Sequence, residues 1–294
     1  MSLAAIVRAL GGELHAGGAR ANVPGPGHGP HDRSVSLLLS GDRVVVHSFA
    51  GDDWRAVLAD LQDRGLVGSD GRLVGEGRGA AAPAILRSAR DRCGAALELW
   101  DAGRPITGTL SERHLRRRAV QGLPAELRHH PAVPAAIYAR RGPCGPALLA
   151  AIRDPGGALR GVEVTFLAAD GARAASPLAR RTIGQRPPGS AVRLYPSGPE
   201  LLVGEGVFTC LSAAERFGLP AWALLSTANL RQWSPPPGVE AVLLAADRGR
   251  DGERSAAVLA VRLAGAGVRC RVRLPPPGCL DWNDAAVAAT GKGE

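Results

Sequence analysis

The last third of the chain alternates apolar runs with amphipathic stretches. From residue 199, LLVGEG reads as a strand, FTCLSAAERFG as a helix, AWALLS and AVLLAAD as strands, ERSAAVLAVRLAGAG as a helix and VRCRVRLPP as a strand. Strands alternating with helices of this length predict a mostly parallel sheet covered on both faces, an α/β arrangement. Two earlier regions have other textures. SVSLLLSGDRVVVHSF holds two β-rich runs around the turn Ser40-Gly41-Asp42, and DDWRAVLADLQDRGL follows with Trp54, Val57, Leu58, Leu61 and Leu66 at mostly helical spacing. This predicts a small β-hairpin plus helix module over residues 1–70. GSDGRLVGEGRGAAAPA is rich in Gly and Ala without periodicity, which makes 71–84 a linker. The region 85–197 is expected to be α+β. It begins with a helix through Ile85 to Leu99, carries the basic run RHLRRRAV, and turns to strands in GVEVTFLAADGARAA and AVRLYP.

The ends of two apolar runs carry acids. Glu205 follows LLVG and Asp247 follows AVLLAA. Strands of a parallel sheet present their carboxyl ends on one rim, where ligands of such sheets bind. Carboxylates gathered there repel one another unless a cation neutralises them, and Mg²⁺ takes one or two carboxylates together with water and phosphate oxygens. Asp251 and Glu253 admit a second reading, as acids favoured at the N-terminus of the helix that follows.

Charge points toward a polyanion. The 294 residues carry a formal charge of +9, nearly all of it from arginine, since Lys292 is the one lysine. The arginine fork suits phosphate, so nucleic acid is the expected partner and a membrane surface a weaker alternative. No run of about 20 uncharged apolar residues is present, so an ordinary spanning helix is excluded. The N-terminus lacks a basic leader before its apolar residues and does not read as a signal peptide. Five scattered cysteines without a C-x-x-C pair suit reduced thiols and a cytoplasmic setting. GEGRGAAA lacks the Lys-Ser/Thr of a P-loop, and His129-His130 has no third ligand nearby and is expected on the surface.

LLVGEGVFTCLSA, AWALLSTANL, AVLLAADRGRDG and PPPGCLDWNDAAV together resemble the Toprim domain of phage- and plasmid-type DNA primases, whose pattern is a Glu in an E-G context, an Asp-x-Asp pair and a terminal D-W-N-D. The resemblance implies a divalent-metal site, Mg²⁺ or Mn²⁺, that transfers nucleotidyl groups. It casts Glu205, Asp247 and Asp281 as catalytic and Glu205, Asp247, Asp251, Asp281 and Asp284 as metal ligands. Gly249 stands where the pattern has its second Asp, and Asp251 is the nearest substitute. Arg248 and Arg250 lie inside the same loop and are further candidate phosphate contacts, neutralisation of the carboxylates in place of a metal being the other reading.

ITGTLSERHLRRRAV, GVEVTFLAADGARAA and ARRTIGQRPPGSAVRL resemble the segment preceding Toprim in these primases, which makes Arg116, Arg117, Arg118, Arg173, Arg180 and Arg181 candidate phosphate contacts. For Arg116 to Arg118 a solvated helix face is an equal reading. NVPGPGHGPHDRSVSL and VVVHSFAGDDW resemble the primase zinc-binding module. Val23, Ser48 and Asp52 replace its cysteines, however, and His28, His31, His47 and Asp52 make a poor substitute set, so no zinc is expected. The implied function is primer synthesis on single-stranded DNA from nucleoside triphosphates, with a separate replicative helicase as partner and no membrane. The alternatives are a DNA-binding relative without catalysis and a Toprim nuclease.

Overall fold

A computed structural model describes residues 2–29, 32–49, 53–74, 89–139, 141–175 and 179–291. The chain divides into two compact units, Met1–Leu86 and Arg87–Glu294.

The first unit contains α1 (Leu3–Leu10), β1 (Glu13–His15), β2 (Arg20–Val23), β3 (Val35–Ser40), β4 (Arg43–Ser48) and α2 (Trp54–Asp63). The four strands form one antiparallel sheet in chain order. The hairpin-plus-helix expectation covers β3, β4 and α2, whereas α1, β1 and β2 add to it. Alternation explains the packing: Ala21, Val23, Val35, Leu37 and Val44 point inward with Leu3 and Ile6 of α1 and Val57 and Leu61 of α2. Val23, which stands at a cysteine position of the zinc-module pattern, is 1% exposed and belongs to this core. The loop after it is tied by Asp32, which accepts hydrogen bonds from the Gly25 N–H at 3.1 Å and from the Ser34 hydroxyl, and which pairs with His28 Nδ1 at 2.8 Å. His31 and Asp52 lie outside the described residues, as do residues 75–88, where most of the expected linker and the start of the expected helix fall.

The second unit opens with α3 (Ala89–Asp101), β5 (Arg104–Pro105), α4 (Leu110–Arg117), β6 (Leu127–Ala136), β7 (Arg141–Arg153), β8 (Leu159–Phe166) and β9 (Arg180–Gly184). These strands make an antiparallel sheet in chain order. β6 and β7 were not evident in the sequence. Strand β7 serves two cores by simple alternation: Ala147, Leu149 and Ala151 face α3, while Leu148, Ala150 and Ile152 face the other way.

The remainder is β10 (Val192–Arg193), β11 (Glu200–Gly204), α5 (Val207–Phe217), β12 (Ala221–Ala223), α6 (Thr227–Gln232), β13 (Ala241–Ala245), α7 (Arg250–Gly265), β14 (Arg269–Arg273) and α8 (Trp282–Thr290). The sheet order is β10-β12-β11-β13-β14, parallel except for β10. The expected strand AVRLYP shrinks to the two residues of β10. Leu201, Val203, Val242 and Leu244 face Leu230, Leu259 and Leu263 of α6 and α7. Leu202 and Leu243 face Cys210 and Leu211 of α5, in a core continuous with Leu115, Leu148 and Ile152 of the preceding sheet. The α/β expectation holds here, with helices on both faces. Among the described residues no helix is long and apolar enough to cross a membrane.

Candidate active site

Register decides which side chains meet. Gly204 of β11 pairs with Ala245 of β13 in parallel, so Glu205 and Asp247 leave the sheet on the same rim. The helix after β13 approaches Asp247 closely: a Cβ on Gly252 would come within 2.6 Å of the Asp247 carbonyl oxygen, which leaves room only for glycine there.

The two carboxyls sit in an environment hostile to their charge. Burial is the main cause raising Asp247 from 3.8 to about 7, followed by the negative charges of Glu205 and Asp281, with a Thr209 hydrogen bond opposing. Asp247 Oδ1 is buried without a hydrogen-bond partner. Glu205 is also raised, first by burial and then by Asp251, with Arg180 and Arg186 pulling the other way.

These acids line a cleft of about 180 Å³ whose opposite wall comes from the preceding sheet and α4. Glu205, Asp247 and Asp281 stand on one side, and on the other stand His114, Arg118, Arg173 and Arg180 with the single acid Glu163, which leaves that wall net positive. The walls are joined by Asn283, 1% exposed, whose amide donates to the Arg118 carbonyl at 2.7 Å and to the Ser212 hydroxyl at 2.9 Å while its oxygen accepts from Arg118 Nε. Arg118 also lies over the Phe208 ring, 4.6 Å from its centroid.

Residues 200–292 match the Toprim domain family profile. This region is a Toprim domain. The expectation drawn from the strand, helix and D-W-N-D pattern is thus met. Residues 90–194 match a domain of unknown function, DUF7146. No curated protein matches the chain. Among solved structures it is similar to the primase fragment of the bacteriophage T7 primase-helicase protein, at 15% identity and TM-score 0.42, over 62% of this chain and 67% of that one. It is also similar to the zinc-binding and RNA polymerase domains of the Aquifex aeolicus primase, at 15% identity and TM-score 0.46, over 99% of this chain and 80% of that one. The E. coli primase catalytic core is similar at 13% identity and TM-score 0.44, over 70% and 76%.

Other candidates in and around the Toprim domain take structural partners. Asp281 caps α8, accepting from the Asp284 N–H at 2.8 Å, and Asp284 accepts in turn from the Leu280 N–H at 3.1 Å, a reciprocal cap. Asp281 still lines the cleft. Asp251 is paired with Arg231 on α6. Gly249 has φ 118° and ψ 156°, a region essentially reserved for glycine, so backbone as well as side chain departs from an Asp-x-Asp loop. Among the described residues no three His, Cys, Asp or Glu side chains are gathered as a ready metal cluster.

The arginines divide similarly. Arg248 donates to the Pro275 carbonyl at 2.7 and 2.9 Å, and Arg116 donates to the Val120 and Gln121 carbonyls and to Glu112. Arg117 lies 3.8 Å from Asp170. Arg250 is exposed at the start of α7. Arg181 is held over Phe166, 4.8 Å from its centroid. Arg180 pairs with Glu163 at 2.9 Å yet lines the cleft. Arg118 and Arg173 complete the cationic wall. Sequence reasoning did not single out His114, Phe208 or Thr209 as site residues. The signal for Phe208 and Thr209 was their place one turn after Glu205.

Proposed function

We propose that the protein is a primase-like nucleotidyltransferase that joins nucleoside triphosphates on a single-stranded DNA template, with unwinding supplied by a separate helicase. The observation that carries this reading is the cleft with two walls of opposite charge. Phosphoryl transfer needs cationic groups on the phosphates and carboxylates to hold a divalent ion at the reacting end, and both kinds of residue line one opening.

The acids fit a divalent cation. The orphaned buried Oδ1 of Asp247 and the repulsion that Glu205 and Asp281 exert on it are both relieved by a positive ion. Glu205 and Asp247 would hold it, with Asp281 contributing charge. Mg²⁺ or Mn²⁺ in that position supplies Lewis acidity toward a phosphoryl oxygen. The chain's own residues do the rest. Arg118, Arg173 and Arg180 bind and orient phosphates, and Asn283 fixes the Arg118 backbone. Burial around Asp247 keeps water from its Oδ1.

The test is incorporation of labelled ribonucleotides on single-stranded DNA with Mg²⁺ or Mn²⁺. Products that vanish in Glu205→Gln support the proposal, and nicking of supercoiled DNA without nucleotides replaces it with a nuclease. A second reading, a DNA-binding relative without catalysis, draws on Gly249. Template binding that is indifferent to Mg²⁺ and to Asp247→Asn, with no product in any condition, favours it.

A further inference from the structure

His114 stands in the cationic wall but is not a cation. It is 4% exposed, on α4, and its Nδ1 lies 2.9 Å from the Gly171 carbonyl oxygen. A carbonyl accepts only, so Nδ1 carries the proton and Nε2 is left as a lone-pair acceptor. Burial, then the charges of Arg118, Arg173 and Arg117, hold the imidazole below its ordinary pKa, so it is neutral at pH 7. Its ring stands edge-on to Phe208 at 5.3 Å and 88°, which fixes its plane, and the residue lines the cleft. Nε2 has no hydrogen-bond partner among the described residues and is not one of the buried orphaned atoms, so it is open.

The cleft therefore offers one uncharged nitrogen acceptor among arginine donors and carboxylates. A phosphate at neutral pH has only acceptors for such an atom. On a nucleotide the available donors are base amines and sugar hydroxyls. A base finds no free aromatic face to hold it here, because Phe208, the one six-membered aromatic ring among the described lining residues, already carries the Arg118 guanidinium and packs against the His114 ring. The sugar remains.

We propose that Nε2 of His114 accepts a hydrogen bond from a ribose hydroxyl of the nucleotide in the cleft and so selects ribonucleotides over deoxyribonucleotides. This rests on reading the cleft as a nucleotide site. As a weakened base His114 holds the hydroxyl and does not need to remove its proton. It is a selecting residue whose effect appears in affinity.

The experiment is titration calorimetry of the full chain with ATP, 2′-deoxyATP and 3′-deoxyATP in Mg²⁺. Loss of one hydrogen bond to a neutral acceptor predicts about fivefold weaker binding of whichever deoxy analogue lacks the hydroxyl that His114 holds. His114→Asn places an amide N–H near the Nδ1 position and deletes the outer acceptor. It should bind ATP and the deoxy analogue equally, with affinity for the analogue unchanged. His114→Gln, which returns an oxygen near the Nε2 position, should recover part of the preference. Wild-type protein that binds all three nucleotides alike overturns the role of His114 and leaves the nucleotide site standing. A preference that persists in His114→Asn also overturns it. Wild-type protein that binds none of them overturns both readings.

Discussion

Replacing Asp247 by Asn should make the cation-free protein more stable above neutral pH while removing its response to Mg²⁺. The carboxyl is raised from 3.8 to about 7 by burial and by Glu205 and Asp281. Each unit is worth about 1.36 kcal/mol, so a shift of roughly three units sets a ceiling of about 4 kcal/mol against the ionised native state. Discounted for the part of the group in contact with solvent, about 2 kcal/mol is expected. The sign follows from proton binding. Below about pH 4 the carboxyl is protonated in both states and costs nothing. Between about pH 4 and pH 7 the unfolded chain ionises while the native carboxyl keeps its proton, so stability falls as pH rises, and above about pH 7 the loss is complete. Asparagine keeps the shape and can accept from Thr209, but it does not ionise. Thermal unfolding in EDTA should therefore show Asp247→Asn melting about 4–8 °C above wild type at pH 8, with a clearly smaller gain at pH 5. Mg²⁺ at pH 8 should raise the wild-type midpoint and leave the variant where it was. Equal midpoints for the two proteins at pH 8 in EDTA, or an advantage that does not change between pH 5 and pH 8, would refute the reasoning.

Three further outcomes follow from the same geometry. Gly249→Asp restores the missing acid of the Asp-x-Asp pattern in name only: φ of 118° should cost about 1–3 kcal/mol in a denaturant melt, without tighter Mg²⁺ binding. Asn283→Ala leaves the Arg118 carbonyl and the Ser212 hydroxyl without their buried donor, an expected loss of about 1–3 kcal/mol, and should weaken DNA binding through the released Arg118. Arg173→Ala, which removes a cleft-lining guanidinium with no ion pair among the described residues, should lower single-stranded DNA affinity uniformly across sequences. It should also reduce the slope of log K against log salt by about 0.7, read by fluorescence anisotropy.

The parallel sheet was legible because its three inner strands, β12, β11 and β13, are built on apolar runs separated by helices, all five residues of β13 being buried. The same clarity put Glu205 and Asp247 on a common rim, since each stands where such a run stops. Strands β6 and β7 escaped because Pro131, Pro134, Pro143 and Pro146 read as breakers, whereas the pairing accommodates irregularities at His130/Val133 and Pro134/Ala136. His129 was expected on the surface and is instead 3% exposed, its Nδ1 lying 2.8 Å from the Ser111 hydroxyl oxygen. Its partner is distant in sequence, so no local pattern marks it. Arginines were the least legible. RHLRRRAV gives no means of telling that Arg116 is spent on the carbonyls that close α4 while Arg118 reaches the cleft. That difference arises only once Asn283 of α8 is bound to Arg118 at the end of α4.

The apolar interior shared by Leu115, Leu148 and Ile152 with Leu202 and Leu211 makes the two halves of the cleft inseparable in practice. A fragment cut near residue 198 would carry an uncovered greasy flank, and the missing half would take the guanidinium groups with it. Shuffling the C-terminal portion onto another scaffold would thus demand a replacement for that flank as well as for the chemistry, so the pair is expected to be inherited, expressed and engineered as a single piece.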